Sequence, residues 1–221
     1  RWQHPDLGLV QPVMFIPLAE ATDLIVQLDR WVLNEVCHLI ARLEREGRPV
    51  RISVNISPRH FRRDDFVDEI QRLLALGGAS AKYLILEVTE GMVIGDIADV
   101  VAKMNRLTAM GIHFSMDDFG TGYSSLSYLK RLPIHELKID KSFIQDSTTD
   151  ASDAALVETI LSVAQHLNLQ VVAEGIETRE QVDFLNARAK VIHQGHYFGR
   201  PDSVEKWMER LVEDGGVDSG V

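Results

Sequence analysis

The chain has 221 residues, of which 45% are hydrophobic and 25% are charged, as in an ordinary folded globular protein. Its 33 acidic and 23 basic side chains give a formal net charge of −10, which argues against a nonspecific DNA or RNA surface. A single cysteine, Cys37, excludes an internal disulfide and favours a reducing compartment such as the cytoplasm. No apolar run approaches the ~20 residues of a membrane helix.

Short β-rich runs alternate with amphipathic helical runs, which predicts βα units and a mainly parallel sheet. The predicted strands are Val50–Asn55, Tyr83–Val88, Ile112–Met116, Glu136–Ile139, Gln170–Ala173 and Val191–Gln194. Six such units fit either an open doubly wound sheet or most of a barrel. A complete barrel takes about 250 residues, so as a barrel this chain would lack roughly two strands and a helix, and we expect it to begin inside a domain.

Helical periodicity and stop signals mark the segments between these strands. The first helix, within residues 22–46, is predicted to bury a stripe of Leu24, Leu28, Trp31, Val32, Leu39, Ile40 and Leu43. Gly77-Gly78 is predicted to end the second helix, and Gly111 the third.

Two capping signals and a change of composition organise the last third of the chain. Ser152 is predicted to cap a helix that turns Leu156, Val157, Ile160, Leu161, Ala164 and Leu167 inward. Thr178 and Gln181 have the spacing of a capping box, and a last helix is expected after Asp202. The folded domain is predicted to span residues 1–211, and the small, acidic residues 212–221 are predicted to form a disordered tail.

Every predicted strand ends in polar or charged side chains. They are Asn55, Glu87 with Glu90, Asp117 with Asp118, Lys138 with Asp140, Glu174 with Glu177, and Gln194. The C-terminal ends of barrel strands build the active site, so these side chains are expected to converge. Clustered carboxylates need divalent cations, and oxygen ligands favour Mg²⁺ or Mn²⁺ over zinc or copper. Adjacent Asp117 and Asp118 suit two metals that share one carboxylate, an arrangement used for in-line displacement at phosphorus.

Other interpretations exist for single residues. A lone acid after a strand often caps a helix or lies in a solvated loop. The Asp-Phe-Gly at 118–120 is not a kinase motif, because the chain lacks the accompanying His-Arg-Asp loop and Val-Ala-Ile-Lys strand. Gly120-Thr-Gly122 lacks the third glycine of a dinucleotide fingerprint, and it is interpreted instead as part of a mobile loop that approaches a ligand.

A further group of residues is assigned structural roles. The arginines at 59, 62 and 63 are followed by two aspartates, so a solvated, salt-bridged face is favoured over a nucleic-acid site. Cys37 is predicted to lie in the core, and His193 is predicted to be a packing or surface residue.

Eight segments together resemble the EAL domain, the bacterial cyclic di-GMP phosphodiesterase module. They are RW at 1–2, FIPLAE at 15–20, NISP at 55–58, LEVTE at 86–90, DDFGTGYSSL at 117–126, LKIDKSFI at 137–144, VAEGIET at 172–178 and QGHYFGRP at 194–201. The resemblance covers residues 1 to about 211 and implies an α/β fold, a TIM-like (β/α)8 barrel with one antiparallel strand. The glutamate of the EAL signature itself is expected upstream of Arg1. The chain also departs from the family's usual Gly-Cys or Gly-Ala turn at 187–190, a difference expected to be minor.

The resemblance also implies roles for the strand-end residues. It makes Asn55, Glu87, Asp117, Asp118 and Glu174 metal ligands, with two Mg²⁺ or Mn²⁺ ions per active site and Ca²⁺ supporting little turnover. Lys138 is expected to orient or deprotonate the attacking water, Gln194 to join the water and metal network, and Glu90 to hold the DDFGTG loop. Arg1, Asp140 and Glu177 are assigned to the substrate-binding surroundings of the site.

The implied activity is hydrolysis of cyclic di-GMP to linear pGpG. The alternatives are a catalytically silent EAL receptor for cyclic di-GMP and, less favoured, a metal-dependent barrel with another substrate. The expected partners are cyclic di-GMP, a second copy in a homodimer, and upstream sensory or GGDEF-type domains. DNA and RNA are not expected partners, and any membrane contact is expected only through attached domains.

Overall fold

The computed structural model describes residues 1–93, 96–120 and 126–213, and it divides the chain into two units, Arg1–Leu137 and Lys138–Val221. The first unit contains, in order, β1 (Trp2–His4), β2 (Gly8–Val10), α1 (Pro12–Glu20), α2 (Leu24–Arg45), β3 (Ile52–Asn55), α3 (Pro58–Phe61), α4 (Phe66–Gly77), β4 (Leu84–Thr89), α5 (Ile97–Ala109), β5 (His113–Phe119) and α6 (Leu126–Leu129). Strand β6 (Glu136–Ile139) contains the division. The second unit continues with α7 (Lys141–Gln145), α8 (Ala151–His166), β7 (Gln170–Ala173), α9 (Arg179–Asn186), β8 (Ile192–His193) and α10 (Val204–Glu213).

Each unit contains parallel strand pairs. In the first unit, β4 lies between β3 and β5, and both pairs are parallel. In the second unit, β7 pairs with β8 in parallel. The six predicted strands are all present, but β5 continues three residues beyond the predicted end at Met116, because Asp117 pairs with Thr89 of β4. The antiparallel hairpin of β1 and β2, with Trp2 opposite Val10, is an element that the sequence did not indicate.

The core of the first unit is built on three phenylalanines. The ring of Phe61 packs against Phe66 and Phe114, with centroids 5.0 and 6.4 Å apart, and all three side chains are buried. Helix α2 covers this core with a stripe of Ile25, Asp29, Leu33, Cys37 and Ile40. The predicted stripe was wrong at Leu24 and Trp31, which are exposed, because α2 carries apolar residues around most of its circumference. Cys37 is buried as expected, and burial raises its pKa to about 11.

Helix ends follow the sequence signals except at α8. Gly78 ends α4 in a left-handed conformation with φ of 70°, and Thr178 and Gln181 form the predicted capping box of α9. The cap of α8 is Asp150 rather than Ser152, because the Asp150 carboxylate accepts hydrogen bonds from the backbone N–H groups of Ser152 and Asp153. Leu156 of α8 is exposed instead of inward-facing, while Val157, Ile160, Leu161 and Ala164 are buried. Helix α10 reaches Glu213, and residues 214–221 of the predicted tail lie outside the described residues.

Arg59 and Arg63 form salt bridges, as predicted for this arginine-rich segment. Arg59 contacts Asp23 at 2.7 Å, and Arg63 contacts Asp65 at 3.0 Å. His193 is half-buried and stacks on Phe198 with ring centroids 5.8 Å apart, in agreement with a packing role. Among the described residues, no helix combines the length and apolarity required to cross a bilayer.

Two histidines of the first unit stack where β5 and β6 begin. The rings of His113 and His135 are 4.2 Å apart between centroids and tilted by 11°. The Phe114 N–H donates to Nδ1 of His135 at 3.2 Å, so this nitrogen must be unprotonated. Burial lowers the pKa of both rings below 6.5, and the nearby charge of Arg51 lowers both further.

We expect the stability of the first unit to fall as the pH drops through this pKa range. Since the folded pKa of each ring lies below the unfolded value, the unfolded chain binds more protons in acid. The stabilisation is present above pH 6.5 and is lost as the pH falls through the lowered folded pKa values. Urea unfolding at several pH values checks this, with His113→Phe as a variant that keeps an aromatic ring. A variant that loses stability in acid as steeply as the parent protein would contradict the assignment.

Candidate metal centre and active site

One face of the first unit's sheet carries three side chains with oxygen donors toward the C-terminal ends of its strands. Asn55 lies opposite Glu87 in the β3–β4 register, and Glu87 lies opposite Ser115 in the β4–β5 register. Because strand side chains alternate, Asp117 shares the face of Ser115, Glu87 and Asn55. Glu87 and Asp117 are buried, and Asn55 is exposed. The structure therefore brings together the three residues that the sequence placed at separate strand ends.

The end of β5 adds a second carboxylate beside Asp117. Consecutive side chains of a regular strand point to opposite faces, but Asp118 has a φ of 53°, in the left-handed region. This turn of the backbone lets carboxylate oxygens of Asp117 and Asp118 lie within 4.8 Å of one another. The Asp118 N–H also donates to Oδ1 of Asp117 at 3.0 Å. Paired carboxylates beside Glu87 and the Asn55 amide are a donor set that fits hard divalent cations.

Glu90 holds the segment that follows the two aspartates. Its Oε1 accepts a hydrogen bond from the backbone N–H of Gly120 at 2.8 Å. Gly120 has a φ of 97°, a conformation that residues with a Cβ rarely adopt. The contact fixes the backbone where the chain leaves β5. Residues 121–125 of the predicted mobile loop lie outside the described residues.

In the second unit, Lys138 and Glu174 form a buried ion pair. The Lys138 Nζ lies 2.7 Å from Oε1 of Glu174, and their side chains are 4% and 19% exposed. The Glu174 backbone N–H donates to the Ile139 carbonyl at 3.1 Å, which ties the residue after β7 to strand β6. An ammonium group at this depth needs a charged partner, and Glu174 provides one.

Backbone hydrogen bonds interlock the segments that carry Glu174, Glu177 and Gln194. The Gln194 N–H donates to the Ala173 carbonyl at 2.9 Å, and the Ile176 N–H donates to the Gln194 carbonyl at 3.1 Å. Gly195 lies so close to Ile176 that an added Cβ would be 2.1 Å from the Ile176 carbonyl oxygen. The positions of these two segments therefore depend on each other.

The three residues assigned to the substrate surroundings have local contacts of their own. Arg1 is exposed, and its guanidinium donates to the Gln11 side chain. Asp140 caps α7 by accepting from the Ser142 N–H at 2.9 Å. Burial raises the Asp140 pKa, but the hydrogen bonds from the Ser142 hydroxyl and from the N–H groups of Ser142 and Lys141, together with the Lys141 charge, lower it by more. Glu177 has an exposed side chain, and its N–H donates to the Gln181 side chain at 2.8 Å. The substrate-binding roles of all three stay predictions.

The sequence analysis did not single out Asp29, a buried acid that contacts Ser57, two residues after Asn55. Asp29 of α2 is 6% exposed, and its Oδ2 accepts from both the N–H and the hydroxyl of Ser57 at 3.0 and 2.6 Å. The signal was available, since Asp29 lies four residues from both Ile25 and Leu33 and therefore occupies a core position of the helix.

Parallel βα units with clustered acidic and amide side chains at the strand ends place this chain among α/β domains of the TIM-barrel class. The sequence model of the family described as "EAL domain" matches residues 1–201. The chain belongs to the EAL-domain family, which confirms the resemblance seen in its motifs.

Similar proteins are known from bacteria. The chain is 45% identical to the bifunctional diguanylate cyclase/cyclic di-GMP phosphodiesterase MucR of Pseudomonas aeruginosa, over 96% of this chain and 31% of MucR. It is 43% identical to the cyclic di-GMP phosphodiesterase NbdA of the same species, over 91% of this chain and 26% of NbdA. It is 38% identical to the oxygen sensor protein DosP of Escherichia coli, over 96% of this chain and 27% of DosP. The chain thus spans about a third or less of each of these relatives.

Solved structures of EAL proteins have the same fold. A cyclic di-GMP complex of the PaMucR phosphodiesterase superposes with a TM-score of 0.90 at 44% identity, covering 94% of this chain and 84% of that one. The EAL enzyme Bd1971, bound to cAMP and cyclic di-GMP, superposes with a TM-score of 0.88 at 31% identity, covering 96% of this chain and 58% of that one. These similarities confirm the predicted TIM-like fold class.

Proposed function

We propose that this chain hydrolyses cyclic di-GMP to linear pGpG and so lowers the concentration of this second messenger in the bacterial cytoplasm. The observation that carries the proposal is the arrangement of Asn55, Glu87 and Asp117 on one sheet face, with Asp118 beside them. MucR and NbdA, which are more than 40% identical to this chain, are named as cyclic di-GMP phosphodiesterases. Because the relatives are longer than this chain, we propose that it acts together with sensory or GGDEF-type domains. We also propose that it acts as a homodimer.

The proposed metal ligands are Asn55, Glu87, Asp117, Asp118 and Glu174, and the proposed ions are Mg²⁺ or Mn²⁺, two per active site. When bound, such ions activate water and stabilise the charge of the leaving oxygen. Glu87 and Asp117 supply the compensating negative charge from buried positions, and Asp118 adds a second carboxylate to the Asp117 side. A set of carboxylate and amide oxygens fits Mg²⁺, which prefers oxygen ligands in octahedral geometry.

The other proposed roles concern the reacting water and the substrate. Lys138, paired with Glu174, orients or deprotonates the water that attacks phosphorus in line with the departing 3′ oxygen. Gln194 contributes to the water network, and Glu90 keeps the segment after Asp118 in its active arrangement. Arg1, Asp140 and Glu177 are proposed to contact or surround the nucleotide.

The direct test is incubation of the protein with cyclic di-GMP and Mn²⁺, followed by chromatography of the nucleotides. We expect linear pGpG with Mn²⁺ or Mg²⁺, no product with a chelator, and little product with Ca²⁺, which accepts looser coordination. An Asp117→Asn, Asp118→Asn variant serves as the inactive control. Tight binding of cyclic di-GMP without pGpG would instead identify a receptor and overturn the proposal.

Removal of the Glu90 side chain should slow hydrolysis without unfolding the protein. Glu90→Ala deletes the acceptor of the Gly120 N–H, and loss of such a supporting contact typically costs 10–100-fold in activity. Glu90→Gln keeps an oxygen that can accept the same bond, so it should retain most of the activity. Turnover rates and thermal melting of both variants check this. Equal activity of Glu90→Ala and the parent protein would contradict the loop-anchoring role.

A further inference from the structure

The turn after β3, which carries Asn55, is held from two sides. On one side, the Ile56 N–H donates to the Glu87 carbonyl at 3.0 Å. On the other side, Asp29 of α2 accepts from the Ser57 N–H at 3.0 Å and from the Ser57 hydroxyl at 2.6 Å. The Asn55 side chain is exposed, but the backbone that follows it is hydrogen-bonded both to the neighbouring strand β4 and to helix α2.

The contact between Asp29 and Ser57 is buried and specific. Asp29 is 6% exposed and Ser57 is 8% exposed, and one carboxylate oxygen accepts both donors. The Ser57 Oγ accepts in turn from the His60 N–H at 3.2 Å and so caps α3. Nδ1 of His60 lies 3.4 Å from the same Asp29 oxygen. A buried carboxylate with these partners can occupy only a narrow range of positions.

We propose that Asp29 is a positioning residue for the cation site, because it fixes Ser57 and thereby the direction of the Asn55 amide. The inference rests on the proposed function, in which Asn55 is a metal ligand. Asp29 lies on a helix rather than at a strand end, and it acts on the site through the backbone of residues 55–57. Removing a partner that orients a ligand lowers metal affinity by about 10–100-fold.

The same helix provides a matched control. Glu44, near the other end of α2, accepts a hydrogen bond from the backbone N–H of Ser80 at 2.9 Å. Ser80 precedes the N-terminal end of β4, whereas Asn55 pairs with Glu87 toward the C-terminal end of that strand. Glu44→Ala therefore deletes a carboxylate that holds a serine N–H to α2, but away from the cation ligands.

The experiment measures Mn²⁺ binding by calorimetry or by electron paramagnetic resonance, together with thermal unfolding in the presence of a chelator. We expect Asp29→Ala to weaken Mn²⁺ binding about 10–100-fold at the Asn55 site, and Ser57→Ala to weaken it less, since the N–H bond remains. The double variant Asp29→Ala, Ser57→Ala should bind Mn²⁺ no more weakly than Asp29→Ala alone, because both substitutions remove the same contact. Asp29→Asn, which keeps an accepting oxygen at nearly the same volume, should recover part of the affinity and provides the measurement if Asp29→Ala fails to fold.

The control variants separate the positioning role of Asp29 from the proposed ligand set. Glu44→Ala should lower the melting temperature and leave the Mn²⁺ affinity unchanged. Wild-type affinity in folded Asp29→Ala and Asp29→Asn, or an equal loss in Glu44→Ala, would overturn the positioning role alone. Absence of Mn²⁺ binding in the wild-type protein, or unchanged binding in Asn55→Ala, would overturn the proposed ligand set and with it this inference.

Discussion

Replacement of Glu87 by glutamine is expected to reduce cyclic di-GMP hydrolysis by about 100-fold. Glu87 is buried on the sheet face that also carries Asn55 and Asp117, and its proposed role is to neutralise a cation there. A glutamine has the same shape, but its amide cannot neutralise a divalent ion as a carboxylate does. Initial rates at saturating substrate, measured over a range of Mn²⁺ concentrations, separate weaker metal binding from a slower chemical step.

A second buried strand glutamate serves as the control. Glu136 is 8% exposed, against 7% for Glu87, but it begins strand β6 and so lies at the N-terminal end of its strand, whereas the proposed ligands lie toward the C-terminal ends. Glu136→Gln should therefore change stability more than catalysis. Glu87→Gln with near wild-type activity, or the same loss of activity in both variants, would count against the assignment of Glu87 as a metal ligand.

Replacement of Gly195 by alanine should strongly destabilise the second unit. The added Cβ would lie 2.1 Å from the carbonyl oxygen and 2.3 Å from the nitrogen of Ile176. Both atoms belong to the backbone, so the clash cannot be relieved by rotation of a side chain. We expect a loss of about 3 kcal/mol in the free energy of unfolding, which corresponds to roughly 6–12 °C in melting temperature.

Gly91→Ala is the matched substitution, because a Cβ there has Thr89 Oγ1 as its nearest neighbour at 4.0 Å. It should change stability by less than ~0.5 kcal/mol. Thermal unfolding of both variants by circular dichroism tests the comparison. If the two variants melt at the same temperature, the close approach of Gly195 to the Ile176 backbone does not limit stability as predicted.

The sequence by itself determined the features that depend on neighbouring residues. Thr178 and Gln181 form their capping box because both partners lie within one helical turn, and Gly78 ends α4 because glycine adopts positive φ at little cost. The strand-end residues Asn55, Glu87 and Asp117 could be predicted as a group, because parallel strands bring their C-terminal ends to one edge. The family motifs then supplied the expected roles.

Only the tertiary structure decided the features that depend on distant parts of the chain. Strand β5 continues to Phe119 because β4 offers Thr89 as a pairing partner, and this extension changes where Asp118 lies. Asp29 contacts Ser57 across 28 positions of sequence. The buried side of α2 follows from what packs against it, since its apolar residues would allow more than one face. Local spacing carries no information about partners that only folding brings together, which is the physical reason these features escaped prediction.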